Sequence, residues 1–232
     1  MKTKIEGLEL ANPGCANGIS TQLAEVLKTE HRSLTPEEKQ KIIDEATIHY
    51  GNFLTALGVN YNDDPNSADT PKRVAKKYVN DMWKGRYNLI FEDGVTQFPS
   101  DNYSGIVLEK NIPLTSMCSH HHESILGVVH IAYIPKKDGN VVGLSKLNRI
   151  CEGFGRRGAI QEQLTVAIHN AVDKVTDNIG VMVVIEASHS CVSCRSLNHK
   201  GAGMVTSEVS GVFANHEKTA KQEVLDLIRF KI

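Results

Sequence analysis

Long apolar runs, surplus charge, aromatic residues and cysteine pairs are all scarce in this sequence of 232 residues. Each scarcity removes a class of protein. No apolar stretch approaches the ~18 residues of a spanning helix, so no membrane partner is expected. Twenty-six Lys and Arg stand against 27 Asp and Glu, a net charge of −1, and aromatic residues make up 6%. With neither a basic surplus nor an aromatic stacking surface, nucleic acid is not an expected partner. Any phosphate must be held by a local cluster of cations. The five cysteines (Cys15, Cys118, Cys151, Cys191, Cys194) are odd in number and too few for a disulfide scaffold of this length. The opening Met1-Lys2-Thr3-Lys4-Ile5-Glu6 has no apolar segment or small-residue cleavage site of a secretory signal. Reduced thiols and a cytoplasmic location are the expectation.

What is present is ordinary in bulk, with 41% hydrophobic and 23% charged residues, enough to bury a real core. Residues 1–34, with Asn12-Pro13-Gly14 and Asn17-Gly18, read as a flexible arm or a partner-docking segment. Thr35-Pro36-Glu37-Glu38 then forms a capping box with Pro at the first helical position. Ile42, Ile43, Ala46, Tyr50, Phe53, Leu54 and Leu57 follow at helical spacing, ending at Gly58. A second helix opens at Thr70-Pro71 and runs to Gly85, so residues 35–103 read as a helical region. From about residue 104 the pattern turns to strands, at 105–113 and 125–135. A helix capped by Ser145 and a second helix after the glycines at 155 and 158 come next. A buried strand at 180–187, a strand at 204–213 and a closing helix at 216–230 complete the order. Strands early and late with helices between predict an α+β domain of antiparallel sheet under a helical layer.

Four stretches carry chemistry. Cys118-Ser119-His120-His121-His122-Glu123 lies between two strands, and a thiolate and an imidazole three apart can share one zinc ion; three adjacent histidines can equally be solvated. His189-Ser190-Cys191-Val192-Ser193-Cys194-Arg195 follows the buried strand. Cys118, His121, Cys191 and Cys194 could close a four-ligand structural site, which spacing alone favours. Alternatively three ligands leave one position open, which the flanking titratable His120 and His189 favour. Gly143-Leu144-Ser145-Lys146 opens a helix and resembles a phosphate site, with Arg149 on the face of Lys146; a capped helix with surface cations has the same signature. Gln161-Glu162 at a helix N-terminus either complements the dipole or offers a carboxylate to a guanine edge.

Together these stretches resemble GTP cyclohydrolase I. The family's Leu-Thr-Ser-x-Cys-x-His-His appears at 114–121, Val-Ala-Tyr-Ile-Pro at 131–135 with Ile131 for Val, and Gly-Leu-Ser-Lys-x-Asn-Arg at 143–149. Gln-Glu-x-Leu-Thr appears at 161–165, followed by His189-x-Cys191 and Arg195. The similarity runs from about residue 35 to the C-terminus. It implies a tunnelling fold (T-fold) catalytic domain at 104–232 and a homo-oligomeric ring, usually a decamer, with active sites between subunits. It also implies Zn2+ on Cys118, His121 and Cys191 with the fourth position open, so that Cys194 is a neighbour; a Cys-His-Cys set accepts Fe2+ as well. The implied reaction opens the guanine imidazole ring of GTP by hydrolysis, releases formate and rearranges the ribose to give 7,8-dihydroneopterin triphosphate. His120 and His189 move protons, and Ser145 assists the rearrangement. Gln161 and Glu162 hold the guanine, while Lys146, Arg149 and Arg195 neutralise the triphosphate. The chain departs from the family at Ser119 (commonly Glu) and Ser196 (commonly Gly), and it adds His122 and Cys194. Those departures motivate two alternatives: a variant that stops at a ring-opened formamidopyrimidine or prefers dGTP, and a zinc-stabilised scaffold without activity.

Overall fold

The structure, a computed structural model, describes residues 2–3, 32–90, 94–194, 201–215 and 219–230. The chain divides into two compact units, one of Glu9–Glu92 and one of Met1–Leu8 with Asp93–Ile232.

In the first unit, helix α1 spans Pro36–Ala56. Its capping box forms as the sequence predicts: Glu38 N–H donates to Thr35 Oγ1 at 3.2 Å, and Thr35 N–H donates to Glu38 Oε2 at 2.7 Å. Arg32 adds a two-pronged ion pair to the Glu38 carboxylate, both bonds at 2.8 Å, which holds that carboxyl well below its usual range. The second helix is shorter than its periodicity predicts. Helix α2 spans Thr70–Lys77, widens into a π-helical turn over Tyr78–Met82, and is followed by the short α3 at Lys84–Tyr87. The wider turn keeps Val79 buried with Ala75 and Ile43, the small core of this unit.

The second unit is α+β, as the sequence predicts. Two-residue β1 (Lys2–Thr3), β2 (Val95–Pro99) and β5 (Asn140–Val142) form a small antiparallel sheet in the order β1-β2-β5. The main sheet contains β3 (Val107–Met117), β4 (Ser124–Pro135), β6 (Asn178–His189) and β7 (Gly203–Val209), antiparallel in the order β3-β4-β6-β7. Helices α4 (Leu144–Gly155) and α5 (Gln161–Val175) connect β5 to β6 and pack on the main sheet. The short α6 (Ser190–Ser193) follows β6, and α7 (Ala220–Arg229) ends the described chain.

Strand β6 explains why the sheet needs covering on both faces. Met182 and Val184 join Ala132, Phe213 and Val224 in one core cluster, with α7 residues packed against it. Val181, Val183 and Ile185 alternate to the other face and are fully buried there. A run of five buried apolar residues is therefore a strand between two layers.

Three expectations need correction. Ser145 is not the helix cap: α4 begins at Leu144, Gly143 is the N-cap, and no side chain caps it. Strand β3 reaches Met117 rather than ending at residue 113, with a bulge between Glu109 and Ile112 where Asn111 takes the left-handed φ of 60°. The strand expected at 204–213 is β7 only to Val209, and Gly211–Phe213 is a 3-10 turn because Gly211 adopts a φ of 56°. Of the closing helix, residues 216–218 lie outside the described residues.

Candidate functional site

The end of β3 is where the chemistry begins. Cys118, 5% exposed, closes a tight turn in which His122 N–H donates to Cys118 O at 2.9 Å and Cys118 N–H donates to Glu123 O at 2.8 Å. His122 takes a φ of 56° to complete it. The turn leaves His120 and His121 exposed, their rings edge to face at 6.3 Å. Three other segments arrive at the same end of the sheet. Ala159 N–H donates to Met117 O at 3.1 Å and ties the start of α5 to the end of β3. Ile125, the second residue of β4, pairs with His189 at the end of β6. Cys191 follows within α6 and is half-buried, so the turn, the α5 N-terminus and the β6–α6 corner are neighbours.

Gln161 locks this corner together. Its side chain is fully buried, and its amide nitrogen donates to Ile185 O and Met204 O, both at 3.2 Å, and to Thr206 Oγ1 at 3.1 Å. Its amide oxygen lies 2.7 Å from His189 Nε2. Two backbone carbonyls cannot donate, so the amide cannot be flipped; the oxygen faces His189 and the ring must donate through Nε2. That leaves Nδ1 as the basic nitrogen of the neutral ring. Burial pushes the His189 pKa down, opposed by the nearby carboxylate of Glu162. Glu162 itself is exposed at the second position of α5.

Both ends of the Gln161 side-chain amide thus have partners within the protein. Sequence reasoning missed Thr206, whose hydroxyl lies 2.7 Å from that of Thr165, the motif residue that also donates to Gln161 O at 2.7 Å. Strand alternation through Met204, Thr206 and Glu208 was the available signal for Thr206.

Ser145, Lys146 and Arg149 are not brought to this corner. Helix α4 runs parallel to β3: Asn148 Nδ2 donates to Glu109 Oε1 near its start, whereas a Cβ at Gly155, at its end, would lie 3.0 Å from Thr115 O. Glu109 and Cys118 are nine positions apart on an extended strand, about 30 Å at ~3.3 Å per residue. The α4 cations thus lie at the far end of the sheet from Cys118 within one chain. Arg195 lies outside the described residues.

Among the described residues, no group of three His, Cys, Asp or Glu side chains forms a ready metal cage. The donor set nevertheless suits a borderline cation. A buried thiol and an imidazole project from one turn, and a second thiol stands across the paired end of β4 and β6. Also among the described residues, no helix is long and apolar enough to cross a membrane.

The GTP cyclohydrolase I family profile matches residues 46–229. GTP cyclohydrolase 1 of Geobacillus sp. (strain WCH70) is 42% identical over 180 residues, covering 76% of this chain and 92% of that protein. GTP cyclohydrolase 1 of Streptococcus mutans is 42% identical over 192 residues, 82% of this chain and 94% of that one. GTP cyclohydrolase 1 of Thermoanaerobacter pseudethanolicus is 39% identical over 182 residues, with 77% and 93% covered.

Proposed function

This chain belongs to the GTP cyclohydrolase I family, and from that premise we propose that it converts GTP and water into 7,8-dihydroneopterin triphosphate and formate at a Zn2+-dependent site. The observation that carries the reading is the convergence of the Cys118 turn, His189 and the Gln161-Glu162 helix start at one end of the main sheet. Cys118, His121 and Cys191 would hold the zinc. When bound, the ion lowers the pKa of a coordinated water toward neutrality and so supplies a nucleophile for the purine ring.

The chain's own residues supply orientation and proton transfer. Gln161 fixes the His189 ring and its tautomer, so Nδ1 is the nitrogen that takes up or delivers a proton as the imidazole ring of the base opens. Burial lowers the pKa of that ring and so favours its neutral form, the form a proton acceptor needs. His120, exposed beside His121, is the second proton carrier. Glu162 is the carboxylate that can accept paired N–H bonds from a guanine edge.

Lys146 and Arg149, joined by Arg195, neutralise the triphosphate, and Ser145 serves the ribose rearrangement. Because the α4 cations and the Cys118 corner lie at opposite ends of one sheet, a complete site takes α4 from a second copy. Homo-oligomerisation, in a ring such as a decamer, is then a condition of activity.

Incubating the purified chain with GTP, with bound metal quantified in the same sample, should yield formate and, after oxidation, a fluorescent pterin. Zinc-loaded protein that yields neither from GTP nor from dGTP would overturn the proposal. Accumulation of a ring-opened formamidopyrimidine would identify an enzyme arrested after the first hydrolysis.

A further inference from the structure

Cys194 is a thiol that the proposed reaction leaves unused. It ends Cys191-Val192-Ser193-Cys194, and the backbone makes that spacing meaningful. The segment is a helical turn: α6 spans Ser190–Ser193, and Cys194 N–H donates to Ser190 O at 2.8 Å. Ser193 Oγ donates to His189 O at 3.3 Å, fixing the turn to the end of β6. Residues three apart on such a turn share a face, with Cβ atoms about 5–6 Å apart. A disulfide needs about 3.5–4.5 Å between Cβ atoms, so a modest tightening of one turn closes the bond. Accessibility agrees. Cys194 is exposed and Cys191 half-buried, neither in a disulfide, whereas Cys118 and Cys151 are buried. Burial and the nearby Glu109 push the Cys151 thiol far above its usual range, which makes it inert.

We propose that Cys191 and Cys194 form a dithiol–disulfide site, oxidised by small disulfides of the glutathione class, whose closure withdraws Cys191 from the metal centre. The metal consequence rests on Cys191 being a zinc ligand, as proposed above. The exchange balances in two steps. The Cys194 thiolate attacks one sulfur of glutathione disulfide; that bond breaks, one glutathione thiolate leaves, and a mixed disulfide remains on Cys194. The Cys191 thiolate then attacks the Cys194 sulfur, forming the Cys191–Cys194 bond and expelling the second glutathione thiolate. The protein dithiol loses two electrons and two protons, and the small disulfide gains them as two thiols. A disulfide sulfur is no longer a thiolate donor, so the ion keeps only Cys118 and His121. An exposed disulfide closed across a single helical turn is of the readily reduced kind, which makes the change reversible.

The test uses the full-length zinc-loaded protein. Glutathione disulfide is added, zinc release is followed with a colorimetric chelator, and cysteines are located by peptide mass mapping without reduction. Zinc should appear together with a species two hydrogens lighter in which Cys191 and Cys194 are linked, and dithiothreitol should reverse both changes. Cys194→Ser should bind zinc normally and release it under oxidant roughly tenfold more slowly or worse. Release from Cys194→Ser at the unaltered rate overturns the proposal. So does a glutathione adduct on Cys194 without a cross-link, or a Cys118–Cys191 bond in its place. Wild-type protein that holds no zinc before treatment overturns the ligand reading instead, and mapping on that protein upholds or overturns the pairing independently.

Discussion

The amide oxygen of Gln161 lies 2.7 Å from His189 Nε2, while the amide nitrogen is held by the Ile185 and Met204 carbonyls and the Thr206 hydroxyl. One buried side chain thus ties α5, β6 and β7 together and sets the direction in which a histidine carries its proton. Gln161→Ala should cost about 1–3 kcal/mol of stability by leaving buried acceptors without a donor. It should also lower kcat about 10- to 100-fold, with KM for GTP changed much less. Steady-state kinetics separate the two roles of this residue: a raised KM with kcat intact would mean that the side chain contacts the purine after all.

The separation of α4 from the Cys118 corner makes a complementation experiment decisive. Cys118→Ala should abolish zinc binding and activity. Lys146→Ala should raise KM for GTP roughly tenfold or more by removing a charge from the triphosphate site. Co-refolding the two inactive or weakened variants should recover activity above either alone, because some sites then combine an intact corner with an intact α4. Assays of the mixed and separate proteins check this, and no recovery would mean that one chain builds the whole site.

His130 gives the fold a pH dependence of known sign. It is 3% exposed, its Nδ1 accepts from Asn111 N–H at 3.3 Å, and Glu186 Oε1 lies 3.5 Å from Nε2. Burial lowers its pKa from the ordinary imidazole value of 6.5; Lys110 adds to the lowering and Glu186 opposes it. The unfolded chain therefore binds the proton at higher pH than the folded one. The stabilisation is present above about pH 6.5 and is lost as pH falls from there toward the folded value. His189, also lowered by burial, acts in the same direction. Melting temperature should fall between about pH 7.5 and about pH 5.5, and His130→Gln should flatten that slope.

Gly127 sits on β4 where it pairs with Ala187 of β6, two positions from the Ile125–His189 pair. A Cβ there would collide with the Glu186 carbonyl oxygen and lie 2.6 Å from Ala187 Cα. Both obstacles are backbone and cannot swing aside. Gly127→Ala should therefore destabilise the second unit by about 1–3 kcal/mol or more, read as a lower denaturation midpoint. Since the same register places His189, kcat should fall before global unfolding is seen.

Local signals in the sequence were accurate where the physics is local. The Thr35–Glu38 capping box formed because its partners are three residues apart, and the apolar run before Ala187 is the buried strand it resembled. Signals failed where a neighbour distant in sequence intervened. Ser145 has a capping side chain, yet the helix starts one residue earlier. Val95–Pro99 and Asn140–Val142 were not foreseen because each is too short to stand as a strand except by pairing with the other.

The sequence by itself determined the family, the α+β class and the residue types able to hold a cation, activate water and neutralise phosphates, because those depend on composition and on spacing along the chain. Only the tertiary structure decided that Gln161 turns inward to orient His189 while Glu162 stays exposed, and that the α4 cations lie a strand's length from Cys118. Hydrogen-bond geometry and sheet register settle which side chains meet, and both act between segments that the linear order leaves far apart.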